Sequence, residues 1–232
     1  MEKEERTPLI NFDFHVHTHY SADSAIHPRH IIKVARERGL SGLAITDHNT
    51  IRGGLEVAKQ NDLDDFFVVV GSEIRTKLCE IIGLFLNEEI STSDPFRVID
   101  EIEGQGGLTV LPHPFRSPLI PNLIAQKKVP ISLIRRVDAI EVLNSRTSGV
   151  RNERAFLLAT KMGKPMIAGS DAHFYPEVGN VRVAIPPFDG MEGLKRRILR
   201  GETRIEGKTN SFMSNLYFQF LSFLYSRVEW RR

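Results

Sequence analysis

The chain has 232 residues, 31 Lys and Arg against 29 Asp and Glu, and a formal charge of +2. This near balance gives no strong field to recruit nucleic acid or an anionic membrane, so any polyanion must be held by local residues. One cysteine, Cys79, excludes an intramolecular disulfide, no stretch approaches the ~20 apolar residues of a membrane span, and the charged start MEKEERTP lacks a signal-peptide core; a cytoplasmic location is expected.

Taken in order, short apolar runs alternate with helical patterns, the signature of βα units around a parallel sheet. Strands are predicted at Ile10–His15, Leu43–Thr46, Phe66–Val70, Ile81–Leu86, Leu108–Leu111, Ala139–Leu143, Met166–Ala168 and Val181–Ile185. Several are apolar at nearly every position, as strands buried on both faces should be. Helices are predicted at Pro28–Arg38, Ile51–Asn61, Asp94–Gln105, Ile131–Arg136, Gly149–Met162 and Gly190–Arg200, with Ser72–Glu80 a loop or hairpin turn. Pro28 suits a first helical position, and Gly39 and Gly163 suit helix exits. The length fits a single α/β barrel domain, which commonly runs to roughly 200–250 residues. We divide the chain into a barrel over 1–206 and an aromatic extension over 207–232.

Metal-capable side chains fall where these strands end. His15 and His17 close the first strand, Asp47 and His48 the second, and Glu73 the third; His113 follows the fifth, Glu141 and Asn144 lie at the end of the sixth, and Asp171 and His173 follow the seventh. In a parallel barrel every strand C-terminus opens on one face, so residues distant in sequence converge there. Glu80 opens the fourth strand and joins them only if Ser72–Glu80 turns back as a hairpin. The alternation His15-Val16-His17 puts both imidazoles on one side of a strand, where two nitrogens can reach one cation. Nitrogen and oxygen donors without thiolate suit zinc, manganese or iron, and a carboxylate such as Glu73 can bridge two ions. Asp47, Glu141 and Asn144 are expected to support the ligands without touching metal. His19, His27 and His30 carry no motif and are read as ordinary surface or hydrogen-bonded residues.

With these residues in view, the chain resembles the PHP (polymerase and histidinol phosphatase) domain family from about Asp13 to Pro187. The motifs are Asp-Phe-His-Val-His-Thr (13–18), Ile-Thr-Asp-His-Asn-Thr (45–50), Gly-Ser-Glu-Ile (71–74), His-Pro (113–114) and Gly-Ser-Asp-Ala-His (169–173). The resemblance implies a distorted (β/α)7 TIM-like barrel with up to three divalent metals at the C-terminal ends of its strands. It would place His15, His17, Glu73 and Asp171 on one ion, Glu73, Glu80 and His113 on a second, and Asp23, His48 and His173 on a third. Many members read Ser-Asp-Gly where this chain reads Ser21-Ala22-Asp23-Ser24, and histidine is the commoner residue at Glu80. A carboxylate at Glu80 adds negative charge and shifts preference toward harder ions.

The resulting expectation is a hydrolase of phosphate esters that uses metal-activated hydroxide, with His15, His17, Glu73, His113, Asp171 and His173 as the catalytic set and two or three Zn, Mn or Fe ions. Arg116 and Arg146 are the candidates for holding a phosphate bidentately. The substrate would be a small phosphomonoester, a nucleotide or the end of a short oligonucleotide. Amide or lactone hydrolysis, and a non-catalytic scaffold that has kept the fold, are the alternatives. In the extension, Phe212, Leu216, Phe220 and Leu224 form an i, i+4, i+8 stripe that predicts an amphipathic helix. Packing on the barrel, a partner subunit in a homo-oligomer, and peripheral membrane contact helped by Arg227, Arg231 and Arg232 are its three readings.

Overall fold

The structure, a computed structural model, describes residues 8–116 and 129–228. Nine strands form one sheet. β1 (Ile10–Val16), β2 (Gly42–Ile45) and β3 (Phe67–Arg75) run parallel, with α1 (Pro28–Glu37) and α2 (Arg52–Gln60) as their crossovers. β4 (Glu80–Leu84) then turns back antiparallel to β3, with Arg75 opposite Glu80. After α3 (Pro95–Gly104), β5 (Leu108–Leu111) resumes the original direction. β6 (Ala139–Asn144) and β7 (Met166–Gly169) follow it in parallel, separated by α5 (Gly149–Met162); α4 (Ile131–Arg136) precedes β6. β8 (Val181–Ile185) lies antiparallel on the first half of β1, and β9 (Arg204–Gly207), reached through α6 (Gly190–Leu199), pairs with β8. α7 (Phe212–Val228) ends the described chain.

The strand order β7-β6-β5-β4-β3-β2-β1-β8-β9 curls into a nearly closed barrel. Its seam is made where β1 and β7 run out: the Asp171 N–H donates to the His15 carbonyl at 2.7 Å and the His17 N–H to the Ala172 carbonyl at 2.9 Å. Gly169 makes this approach feasible, because a Cβ there would fall on the His15 backbone, 2.6 Å from its nitrogen. The expected α/β barrel is thus present, distorted by the β3–β4 hairpin. Two elements go beyond the sequence reading. β3 continues as strand through Arg75 where a turn was expected, and β9 was not anticipated.

A central apolar cluster draws on every strand from β1 to β8 and on α6, with Phe12 stacked on Phe14 at 5.2 Å. A second cluster lies under α3, α4 and α5, and a third under α1 and α2. These layers fill the barrel and its flanks, and they leave the strand C-terminal mouth to polar side chains. Buried there are His15, His17, Asp47, Glu73, His113, Glu141, Asn144, Asp171 and His173. Buried polar groups at this density need partners or a cation.

Candidate metal centre

β1 presents His15 and His17, and each ring is oriented from behind. The His15 Nδ1 lies 2.8 Å from Glu141 Oε1, and a carboxylate only accepts, so this nitrogen carries the proton. Glu141 is itself fixed: its Oε2 accepts from the His113 backbone N–H at 2.8 Å and from Asn144 Nδ2 at 3.1 Å. The His17 Nδ1 lies 3.1 Å from Ser21 Oγ, whose own proton goes to Asp47 Oδ1 at 2.7 Å, so here too the imidazole donates. Asp47 also takes the Thr18 N–H at 2.7 Å and the Thr18 hydroxyl at 2.6 Å. Both Nε2 atoms therefore face the same space, 3.1 Å apart. A histidine fixed by a carboxylate on one nitrogen and free on the other is the usual arrangement of a metal ligand.

Two carboxylate oxygens complete the group. Glu73 Oε2 lies 3.5 Å from His15 Nε2 and 3.4 Å from His17 Nε2, and Asp171 Oδ1 lies 3.6 and 3.4 Å from the same atoms. Ligands ~2.1 Å from a tetrahedral ion are separated by ~3.4 Å, so these spacings resemble five of the six edges of one coordination tetrahedron. Asp171 Oδ1 is buried and accepts no hydrogen bond among the described residues, whereas its Oδ2 is held by Arg116 at 2.6 Å and Asn144 at 3.3 Å. Two imidazole nitrogens and two carboxylate oxygens gathered at one place call for positive charge among them, so this donor set fits a divalent metal.

The remaining candidates surround this core. Glu73 turns its other oxygen, Oε1, to His113 Nε2 at 2.9 Å, and Glu80 Oε2 stands 3.8 Å from the same nitrogen. The hairpin is what brings Glu80 in, since β4 begins at the mouth where the parallel strands end. On the other side, Asp23 Oδ2 lies 3.4 Å from His173 Nε2 and 3.6 Å from His48 Nε2, while His48 Nδ1 approaches Glu73 Oε2 at 3.1 Å. His173 Nδ1 donates to the Asp171 carbonyl at 2.8 Å, leaving Nε2 free to ligate. The donor groups interlock: His15 with His113 and Asp171, His17 with His48 and His173, and His48 with Glu73 and Glu80. His113 and Asp171 have φ of 27° and 57°, a region costly for residues other than glycine that is found where function demands it.

The electrostatics follow from crowding. Burial opposes ionisation of Glu73 and Asp171. Yet His15 and His113 beside Glu73, and Arg116 and His15 beside Asp171, hold both carboxyls well below the usual range. Burial also opposes protonation of His48, but Asp23 and Glu73 outweigh it and bring the ring up to about 10. His17 is driven the other way, by burial and by His173 and His48, so it stays neutral. The mouth is thus a negative well in which protons on His15 and His48 occupy the place of cationic charge.

Arg116 sits at this mouth with its side chain 28% exposed. Arg146 does not. It is buried, with Nε 3.2 Å from Glu177 Oε1 and Nη2 donating to Ser222 of α7, so the expectation that it holds phosphate is corrected: its guanidinium is committed to a carboxylate behind the site. His27 caps α1 through Nδ1, and His27 and His30 are exposed. Sequence reasoning missed three supports. Ser21 links His17 to Asp47; Glu177 accepts the His173 and Phe174 N–H groups at 3.0 and 3.2 Å; Asp13 accepts the Ser170 and Gly179 N–H groups at 2.8 and 2.9 Å. Asp13 opens the Asp-Phe-His-Val-His motif, which was the available signal for it; Glu177 had none.

Comparison with known proteins agrees with this construction. Residues 13–111 match the PHP domain and residues 149–203 match the PHP-associated family. An uncharacterized protein of Methanocaldococcus jannaschii, MJ1587, is 44% identical over 144 residues, covering 57% of this chain and 81% of its own. A second from the same organism, MJ0417, is 35% identical over 181 residues, covering 75% and 70%. Among solved structures, a two-domain protein from Bacteroides vulgatus containing a predicted PHP-like metal-dependent phosphoesterase superposes with a TM-score of 0.74. It is 17% identical, with 90% of this chain and 67% of that one covered, a likeness of fold. The matched segments contain most of the mouth donors, from His15 to Glu80 and again Asp171 and His173, and on these grounds the chain belongs to the PHP domain family.

Proposed function

We propose that this protein is a metal-dependent phosphoesterase acting on a small phosphomonoester, a nucleotide or the end of a short oligonucleotide. The observation that carries the reading is the convergence of Glu73 Oε2 and Asp171 Oδ1 on His15 Nε2 and His17 Nε2 at ligand–ligand spacings of 3.1–3.6 Å, with Glu73 Oε1 turned toward His113. His15, His17, Glu73 and Asp171 would hold one divalent ion, with His113 and Glu80, and then Asp23, His48 and His173, as holders of a second and third; zinc, manganese and iron suit such donors. When bound, such ions lower the pKa of water toward neutrality and neutralise charge developing on phosphoryl oxygens.

The chain's own residues do the positioning. Glu141 and the Ser21–Asp47 pair keep the Nδ1 protons of His15 and His17, so that Nε2 always faces the mouth. Arg116 holds Asp171 by one nitrogen and, being partly exposed, has further donors to turn to a phosphate oxygen. The formal charge of +2 supports a small substrate over long nucleic acid. The test is elemental mass spectrometry on the native protein and on His15→Ala, paired with hydrolysis of p-nitrophenyl phosphate and a nucleotide panel in added manganese or zinc. Two or three ions per chain, with metal and turnover both falling in the variant, is the expected result. A metal-loaded protein that hydrolyses none of these esters would overturn the reading.

A further inference from the structure

α7 is packed with the wrong side out for a helix that ends its life on a monomer. Against the barrel it sets Ser214, Asn215, Phe218, Leu221 and Ser222, of which three are polar, while Met213, Leu216, Tyr217, Phe220, Phe223 and Leu224 are 43–69% exposed. The orientation is pinned from below. Arg146 Nη2 donates to Ser222 Oγ at 3.2 Å, and Phe174 stacks on Phe218 at 5.7 Å and meets Tyr225 edge-on at 6.5 Å. Rolling the helix to bury its apolar side would break these contacts and leave the buried Arg146 Nη2 without its Ser222 partner.

The outward residues have a spacing. Met213, Leu216, Phe220 and Phe223, followed by Arg227, step by three, four, three and four, which is the seam of a two-helix coiled coil, with Tyr217 and Leu224 flanking it. We infer that this face is a homodimer interface in which α7 of one copy packs on α7 of a second. No charge occurs from Thr209 to Ser226, so two identical faces can meet without repulsion. Arg227 at the end of the seam sets the direction: antiparallel pairing puts it opposite Met213 of the second copy, whereas parallel pairing would set it against its own equivalent. Three half-exposed aromatic side chains, Tyr217, Phe220 and Phe223, each offering about 150–250 Å² in full, supply roughly 300 Å² per copy, and Met213, Leu216 and Leu224 enlarge the apolar face around them, so a pair approaches the lower bound of specific interfaces at about 1,200 Å². A lipid surface is less suited. No described helix is long and apolar enough to cross a membrane, and interfacial helices carry a cationic face, while the other side of α7 is uncharged and turned to the barrel.

The experiment is light scattering on the full chain at about 100 μM, since a small interface binds at the weak end of a range that reaches μM for standard-size ones. Twice 26.3 kDa is expected for the native protein and 26.3 kDa for Phe220→Glu. Val150→Glu, on the exposed face of α5, should keep the dimer mass. If Phe220→Glu does not fold, Phe220→Cys in a Cys79→Ser background should cross-link between copies on oxidation, and Val150→Cys in the same background should not. A native monomer, a dimer that survives Phe220→Glu, or a folded Phe220→Cys that fails to cross-link would overturn the inference. A native monomer that floats with phosphatidylcholine and phosphatidylglycerol vesicles would overturn it in favour of lipid.

Discussion

The mouth of the barrel has an inner tier and a rim, and the two are built differently. The side chains of His15, His17, Glu73, His113 and Asp171 are at most 1% exposed, and four of them are held by further side chains such as Glu141, Ser21, His48 and Arg116. At the rim, His48, Asp23 and Glu80 are 13%, 27% and 25% exposed; among the described residues Asp23 meets only His48 and His173, and Glu80 pairs with an exposed Arg75 at 3.6 Å. A preorganised, dry donor set holds an ion tightly and keeps its geometry; an exposed, unbraced one has to be ordered by the ion it binds. The contrast predicts one ion that stays through purification and others that exchange.

The most damaging change should be in the inner tier. Glu73→Gln keeps the shape but removes the bridging charge, which lies between His113 on one oxygen and His15, His17 and His48 on the other. Losing a metal's contribution of several kcal/mol means a fall in kcat of about a thousandfold or more, with fewer ions per chain by elemental analysis. Chelation tests the same tier by stability. Removing an ion present at about 100 times its Kd removes about 2.7 kcal/mol, a drop in Tm of roughly 5–10 °C for a domain of this size. Glu73→Gln should show a much smaller drop on chelation, and an equal one would mean that the inner tier is not where the ion sits.

Next in size is Glu141→Gln. The amide can donate where His15 now donates, so the imidazole loses the partner that sets its tautomer. A fall of about 10–100-fold in metal affinity or activity is expected, checked by competition with a metallochromic dye. Gly169→Ala attacks the seam instead. Its Cβ would press on the His15 backbone, and overpacking of this kind costs about 1–3 kcal/mol, read as a lower Tm in the metal-free protein as well as the loaded one.

How much of this contrast can be read from sequence depends on what each residue relies on. The inner donors are legible because β1 alternates and the others sit at strand ends, so strand period and a common barrel face suffice to bring them together. The supports divide. Asp47, Glu141 and Asn144 also sit at strand ends and are read as supports by the same rule, although His15 and Glu141 are 126 residues apart, whereas Ser21 and Glu177 lie in connecting segments that carry no period to point them at the site. Arg146 shows the opposite failure. Its position just after β6 suggests the mouth, but a loop side chain has no period to fix its direction, and Glu177 draws it behind the site. β9 was missed because Arg204–Gly207 is short and half polar and exists as strand only through its pairing with β8. In the C-terminal stripe, the spacing of Leu216, Phe220 and Leu224 gives no sign that these three side chains face away from the barrel.

The smallest effects should come from the rim, and they separate the two tiers most sharply. Asp23 is one residue off the usual family position, yet its Oδ2 reaches both His173 and His48, so the loop bends enough to return the carboxylate to the mouth. Because Asp23 is 27% exposed and touches only histidines that would themselves be ligands, Asp23→Asn should remove about one ion per chain while leaving the inner ion and the fold intact, with stability within about 0.5 kcal/mol of native, as for most surface substitutions. Glu80→His, which restores the commoner family ligand, should keep the ion count and move metal preference from manganese toward zinc, since imidazole replaces a harder oxygen donor. Dialysis against a weak chelator should strip the native protein to the ion count of Asp23→Asn before any inner metal leaves. Loss of all ions together in that titration would mean that inner tier and rim form a single cooperative cluster, and that the difference in burial between them has no counterpart in affinity.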